Sequence, residues 1–205
     1  MPLQNRVTPV GDIVATPERG LFTGNRGIIH DPATRRLLNR RWTNPAWIVC
    51  ALRWRDVRRT VMGPGSWTEL FFLDEATALA AGHRPCFFCR RAAALDFQAR
   101  FPTGGAPPKA GEIDGLLHAE RLDGRGKRLH ALAIPASELP DGAMVLHEGA
   151  PHLILDGRAR RWSHAGYGAP VPAPADARLI TPPSTVATLR AGYRPVLHPS
   201  ARRGR

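Results

Sequence analysis

The chain has 205 residues, a formal net charge of +12, 43% hydrophobic and 22% charged residues, and three cysteines. Those proportions suit a folded chain with a sizeable core and exclude a disordered tail or a fibrous repeat. So few cysteines exclude a disulfide framework and suit a reducing compartment, and no apolar run is long enough to cross a bilayer.

The opening MPLQNRVTPVGDIV has no basic stretch leading into an apolar run. No secretory signal is therefore expected, and a cytoplasmic location is. The positive charge sits mainly at the two ends, whereas residues 111–160 are net acidic. Basic surface draws polyanions, and nucleic acid, DNA in particular, is the expected partner rather than a membrane.

In chain order, residues 1–46 are rich in Gly, Pro and Asn. Within them Arg19-Gly-Leu-Phe-Thr-Gly-Asn-Arg-Gly27 reads as a loop whose glycines free the backbone and whose Arg19 and Arg26 could hold an anion. Asp31-Pro32 suits an N-cap and first helical position, so a short basic helix is expected over 30–42. Residues 47–52 (WIVCAL), 57–62 (VRRTVM) and 66–73 (SWTELFFL) read as strands, with Gly63-Pro64-Gly65 as a turn.

Asp74 caps a helix over EATALAA, Gly82 ends it and Pro85 keeps it ended. A second helix follows from Cys89, then a loop over 102–111, then a helix over 112–122. Beyond it come short β-like runs at 128–134, 143–147, 152–156 and 159–163, broken by LPDG, HEGAP and Asp156-Gly157. These predict an antiparallel meander or barrel. VPAPADA (171–177) reads as a connector, Pro182-Pro183-Ser184 as the start of a last helix, and PSARRGR (199–205) as a frayed basic tail. ALAAGHRPCFFCRR (78–91) is echoed by TLRAGYRPVLHPSARR (188–203). The shared Ala-Gly-x-Arg-Pro reads as helix-stopping geometry, so the chemistry lies in the cysteines of the first copy.

Cys86-Phe-Phe-Cys89 lets two thiolates face one centre, as zinc requires. Backbone N–H groups with Arg84, Arg90 and Arg91 would favour thiolate there. Cys50 is the third ligand to expect, and His118, His83 and His30 are the choices for a fourth, His118 first. A redox pair and inert buried thiols are the rival readings. Arg53, Arg84, Arg90 and Arg91 flank the cysteines and are the candidate nucleic-acid contacts.

The stretch Phe71-Phe-Leu-Asp-Glu-Ala76 through Gly82-x-Arg84-Pro85-Cys86-x-x-Cys89-Arg90, with Trp47-Ile-Val-Cys50 upstream, resembles the zinc-binding domain of Ada-type DNA methylphosphotriester repair proteins. The resemblance covers about residues 44–92. It implies a zinc held by thiolates, a nucleophilic Cys50, and DNA as the partner. Trp54 stands where that family has a further cysteine, so three cysteines and one histidine are the donor set to expect here.

A competing reading takes His118-Ala119-Glu120 with Pro85-Cys86-x-x-Cys89 as the two halves of a zinc nucleobase-deaminase pattern in reversed order, with Glu120 moving protons. Asp114 and His118, four residues apart, share a helix face and could serve acid–base chemistry or orient a ligand. Trp162-Ser-His164-Ala-Gly-Tyr167 beside Arg160 and Arg161 reads either as base-stacking surface or as core. A non-catalytic interaction protein with a structural zinc is the third reading. No phosphate-binding P-loop, Gly-x-Ser-x-Gly or His-Glu-x-x-His is present.

The expected architecture is α+β: a small zinc-stabilised module over 1–110 with a basic N-terminal segment, then a mostly antiparallel β half over 111–205. The expected function is a zinc-containing nucleic-acid-binding protein of DNA repair or modification. Its catalytic residues, if any, are not legible.

Overall fold

The computed structural model describes residues 1–56 and 60–203. Its strands begin with β1 (Gln4–Val7), β2 (Ile13–Ala15) and β3 (Phe22–Asn25), followed by a small hairpin of β4 (His30–Asp31) and β5 (Arg36–Leu37). β6 (Ile48–Ala51), β7 (Leu70–Phe72), α1 (Glu75–Ala80), β8 (Arg84–Pro85) and α2 (Arg91–Arg100) complete the first part. Six of these strands form one sheet in the order β2-β1-β7-β3-β6-β8.

The helix expected over 30–42 is replaced by the β4–β5 hairpin. Asp31 does not cap a helix; its carboxylate accepts from Ala33 N and Thr34 Oγ1 and closes a tight turn. Arg35 completes that turn at φ 55. Local side-chain to backbone bonds of this kind compete directly with helix formation. Residues 60–62 form a turn rather than a strand, and the rest of the expected VRRTVM strand lies outside the described residues.

The chain continues through α3 (Ala110–Arg121), a hairpin of β9 (Leu122–Asp123) and β10 (Gly126–Lys127), and the strands β11 (Met144–His147), β12 (Ala150–Leu155), β13 (Arg158–Ser163), β14 (Gly166–Pro172) and β15 (Arg178–Leu179), then α4 (Pro183–Arg190). The expected meander is present as a five-stranded antiparallel sheet, β14-β13-β12-β11-β15. Helices and mostly antiparallel sheets make the protein α+β. The expected strand over 128–134 is reduced to a single bridge, His130 to Leu179, and part of the expected connector, Val171 and Pro172, is strand.

Leu153-Ile154-Leu155 is a continuous apolar run because both faces of this sheet are covered. Met144, Leu153 and Leu155 pack with Ala76 and Ala80 of α1, whereas Val145 and Ile154 pack with Leu79, Phe97, Ile113 and Leu117. The remaining side of α1 meets the first sheet, where Ala78 and Ala81 lie against Val49, Leu70 and Phe72. α1 is therefore buried all round, and its alanines let both sheets come close.

Its start is held by charge. The buried Asp74 carboxylate accepts from Thr77 N, Thr77 Oγ1, Tyr167 OH and His198 N at 2.8–3.0 Å. Burial raises its pKa, and these donors oppose the shift. Tyr167 and Trp162, whose Nε1 donates to Thr77 Oγ1, are thus core aromatics and not a base-stacking surface. Tyr167→Phe should lower unfolding free energy by about 2 kcal/mol in urea titrations, the cost of a buried bond to a charged acceptor.

Both copies of the Ala-Gly-x-Arg-Pro echo stop a helix in the same way. Gly82 (φ 91) and Gly192 (φ 106) take the left-handed conformation. The next amides, His83 N and Tyr193 N, reach back to Ala78 O and Thr188 O. The expected frayed tail is instead docked as far as residue 203. Pro199–Arg202 form a 3-10 turn with Ala201 buried, and Ser200 Oγ accepts from Tyr167 N.

Candidate metal centre

Strand register brings the cysteines together. β6 and β8 pair in parallel, Ile48 opposite Arg84 and Val49 opposite Pro85. Cys86 N then donates to Val49 O, which sets Cys86 beside Cys50. The chain turns at once, with Arg90 N bonded to Cys86 O at 3.0 Å, and Cys89 swings back over the same point. The three sulfur atoms all lie within 4.8 Å of one another, and no disulfide joins them. This is a group of soft donors that could hold one metal ion.

The charge state fits that role. Hydrogen bonds from the Cys50 and Cys89 thiols, with the amides of Cys89 and Phe88, favour thiolate at Cys86. The Cys50 proton is correspondingly held, because Cys86 and Cys89 accept from it and burial disfavours a second charge. Three adjacent thiolates repel one another, and a divalent cation among them removes that cost.

No histidine joins the group among the described residues. His118 is a correction to the expected donor set. Its Nδ1 accepts from Arg121 Nη2 at 2.7 Å and its ring stands edge-on to Trp42. Burial and the Arg121 charge both depress its basicity. His83 is buried between Ala78 O and Arg26 Nε, and His30 between Thr68 Oγ1 and Gly63 O. A histidine in a packed core usually has its ring nitrogens engaged in this way, and spacing in the sequence cannot reveal it.

The residues of the rival acid–base reading are also dispersed. Glu120 accepts from Ser184 N and Oγ and caps α4. Asp114 takes both Arg84 Nε and Nη2, at 2.8 and 2.7 Å. Arg84 is thus buried in an ion pair, and Arg90 is paired with Glu75 at 2.7 Å over the Phe22 ring. Neither faces a polyanion. Arg53 and Arg91 are exposed, as a phosphate contact must be.

In place of a fourth protein ligand the cysteines border a pocket of about 540 Å³. Trp54, Trp67, Phe71, Phe88 and Leu52 line it, together with Glu69. Phe88 is 71% exposed at its mouth, 5.7 Å from the Trp54 ring. Trp54 Nε1 is buried without a hydrogen-bond partner among the described residues. Glu69 is fixed by Met62 N at 2.7 Å and Ser66 Oγ at 3.2 Å. Arg53 is exposed between two lining residues, and the Arg55 guanidinium lies 5.5 Å from the Trp54 ring. The sequence reading missed this pocket; the concentration of Trp and Phe around the cysteines is the signal that could have found it.

No protein-family model matches this chain, and neither the curated proteins nor the solved structures contain a match to it.

Proposed function

We propose that this protein binds zinc through Cys50, Cys86 and Cys89 and receives an unstacked nucleotide of DNA in the adjoining pocket. The observation that carries this reading is the meeting of three thiols with an aromatic pocket, with the exposed Arg53 between two of its lining residues. Cys50, Cys86 and Cys89 would hold the zinc, which would supply Lewis acidity there. The chain's own residues do the rest. Trp54, Phe71 and Phe88 offer faces on which a base stacks, a contact tolerant of sequence. The unpartnered Trp54 N–H and the Glu69 carboxylate give one donor and one acceptor for a base edge. Arg53 and Arg91 hold phosphates outside the pocket.

Fluorescence anisotropy with a single-stranded oligonucleotide tests this. Log affinity should fall with log salt, and Arg53→Gln with Arg91→Gln should lessen the slope by about 0.7 for each lost phosphate contact. Phe88→Ala should weaken binding about tenfold, the loss of one stacked base. A salt-independent affinity would refute the reading.

The same pocket supports a second reading, a hydrolytic enzyme acting on the base. A zinc site with cysteine ligands and a nearby non-ligating glutamate is the donor set of zinc nucleobase deaminases. Here Glu69, not Glu120, occupies the pocket. Glu69→Gln should then abolish ammonia release from a cytosine- or adenine-containing strand while zinc content and strand affinity stay within about twofold.

A further inference from the structure

We propose that the cleft bounded by the β1–β2 turn, the end of β3, the end of α3 and the β9–β10 hairpin binds a phosphate group. It shares no lining residue with the cysteine pocket. Arg26 and Arg121 are each 1% exposed, and both line it with Lys127 and Trp47. Each guanidinium carbon lies 3.9 Å from the Trp47 ring centroid. Two groups of that size cannot share one face, so they flank the indole, with like charges on either side of it. The Lys127 ammonium reaches over to Ala80 O.

Asp12 is the sole carboxylate among the lining residues, and it lies on the rim paired with Arg41 at 3.3 Å. Asp114 is taken by Arg84 and Glu120 by Ser184. Among the described residues the buried cations therefore have no paired anion of their own, an arrangement that folding alone disfavours. Burial, then the charges of Arg121 and Arg26, pull the Lys127 ammonium down to about 7. Burial and neighbouring cations likewise depress Arg26, although a guanidinium stays charged.

Arg26 Nη2, Arg121 Nε and Trp47 Nε1 are all buried and lack an acceptor among the described residues. Three orphan donors on residues that line one cleft suit an acceptor-rich occupant. The cleft volume is about 50 Å³. At roughly 10–15 Å³ for each water-sized group, that is the space of one tetrahedral oxyanion. It is too small for a nucleoside, so anything attached to the phosphate lies outside the cleft. The stretch Arg19–Gly27, expected to be a loop, is strand β3 over Phe22–Asn25, and Arg26, one of the two arginines expected to hold an anion, follows directly on its end.

Thermal melting of the full chain in sodium phosphate and in sodium chloride at equal ionic strength tests the site. Saturating phosphate should raise the midpoint by about 5 °C over chloride. Lys127→Met keeps the side-chain stem and removes one buried like charge. In chloride this variant should melt above the wild type, and by calorimetric titration it should bind inorganic phosphate at least about tenfold more weakly. Equal midpoints in the two salts, or wild-type phosphate affinity in Lys127→Met, would overturn the proposal. A 5′-phosphorylated dinucleotide that displaces phosphate where its 5′-hydroxyl form does not identifies a terminal phosphate as the source. Displacement by neither identifies the free ion, and both outcomes keep phosphate as the ligand class. Cys86→Ala should leave the phosphate response intact, so failure of the metal reading and failure of this one are told apart.

Discussion

Cys86→Ala is expected to lower zinc affinity by more than about 100-fold, beyond the loss caused by removing a hydrogen-bond partner of a ligand. The reason is position. Cys86 is fixed by its amide bond to Val49 O, and its sulfur also accepts from Phe88 N at 3.4 Å. Without it Cys50 and Cys89 remain, one on a strand and one on a turn, with no third donor among the described residues to complete the set. Zinc content after dialysis against a competing chelator measures the effect, and Cys50→Ala should match it. His118→Ala should retain the wild-type zinc content, because that side chain is engaged with Arg121 and Trp42. Metal lost from His118→Ala but kept by Cys86→Ala would remove the basis of the assignment.

Asp114→Ala should destabilise the fold by about 3–5 kcal/mol, because it strands a buried guanidinium. Arg84 and Asp114 side chains are 8% and 7% exposed and meet through two parallel bonds. Arg84 has little to turn to instead, since its other contacts are Pro85 O at 3.2 Å and the Phe87 ring at 5.1 Å. The pair pins α3 to β8, two residues before Cys86, so zinc should also exchange faster in the variant. Urea titration gives the free energy. Arg84→Ala should lose a similar amount of stability and leave the salt slope of strand binding unchanged, which separates a structural arginine from a phosphate contact. A loss under 1 kcal/mol in both variants would contradict the buried-pair argument.

Much of the fold was legible because local signals agreed with one another. Asp74 at a helix start, Gly82 at its end and Pro85 beyond it describe α1 without tertiary information. The same holds for Pro183 in α4 and for the β-like runs of the meander. The errors arose where a local rule had a competitor. Asp31-Pro32 suits a helix start equally well as the tight turn it makes, and nothing within 30–42 decides between them. The tail looked frayed because its partners, Tyr167 and Arg160, are distant in the sequence.

The candidate site divides along the same line. Cys86 and Cys89 were legible as a pair because their spacing alone lets two sulfurs face one point. Cys50 was an inference from scarcity, and the parallel register of β6 and β8 is what places it there. The sequence by itself determined the residue types: three thiols, aromatic neighbours and an excess of arginine. Only the tertiary structure decided which arginines are buried in ion pairs, which histidines are spent on core hydrogen bonds, and which cations share one cleft whose lining carboxylate, Asp12, is paired with Arg41. Those properties depend on desolvation and on atoms brought within a few ångströms from distant parts of the chain, and a linear pattern carries neither.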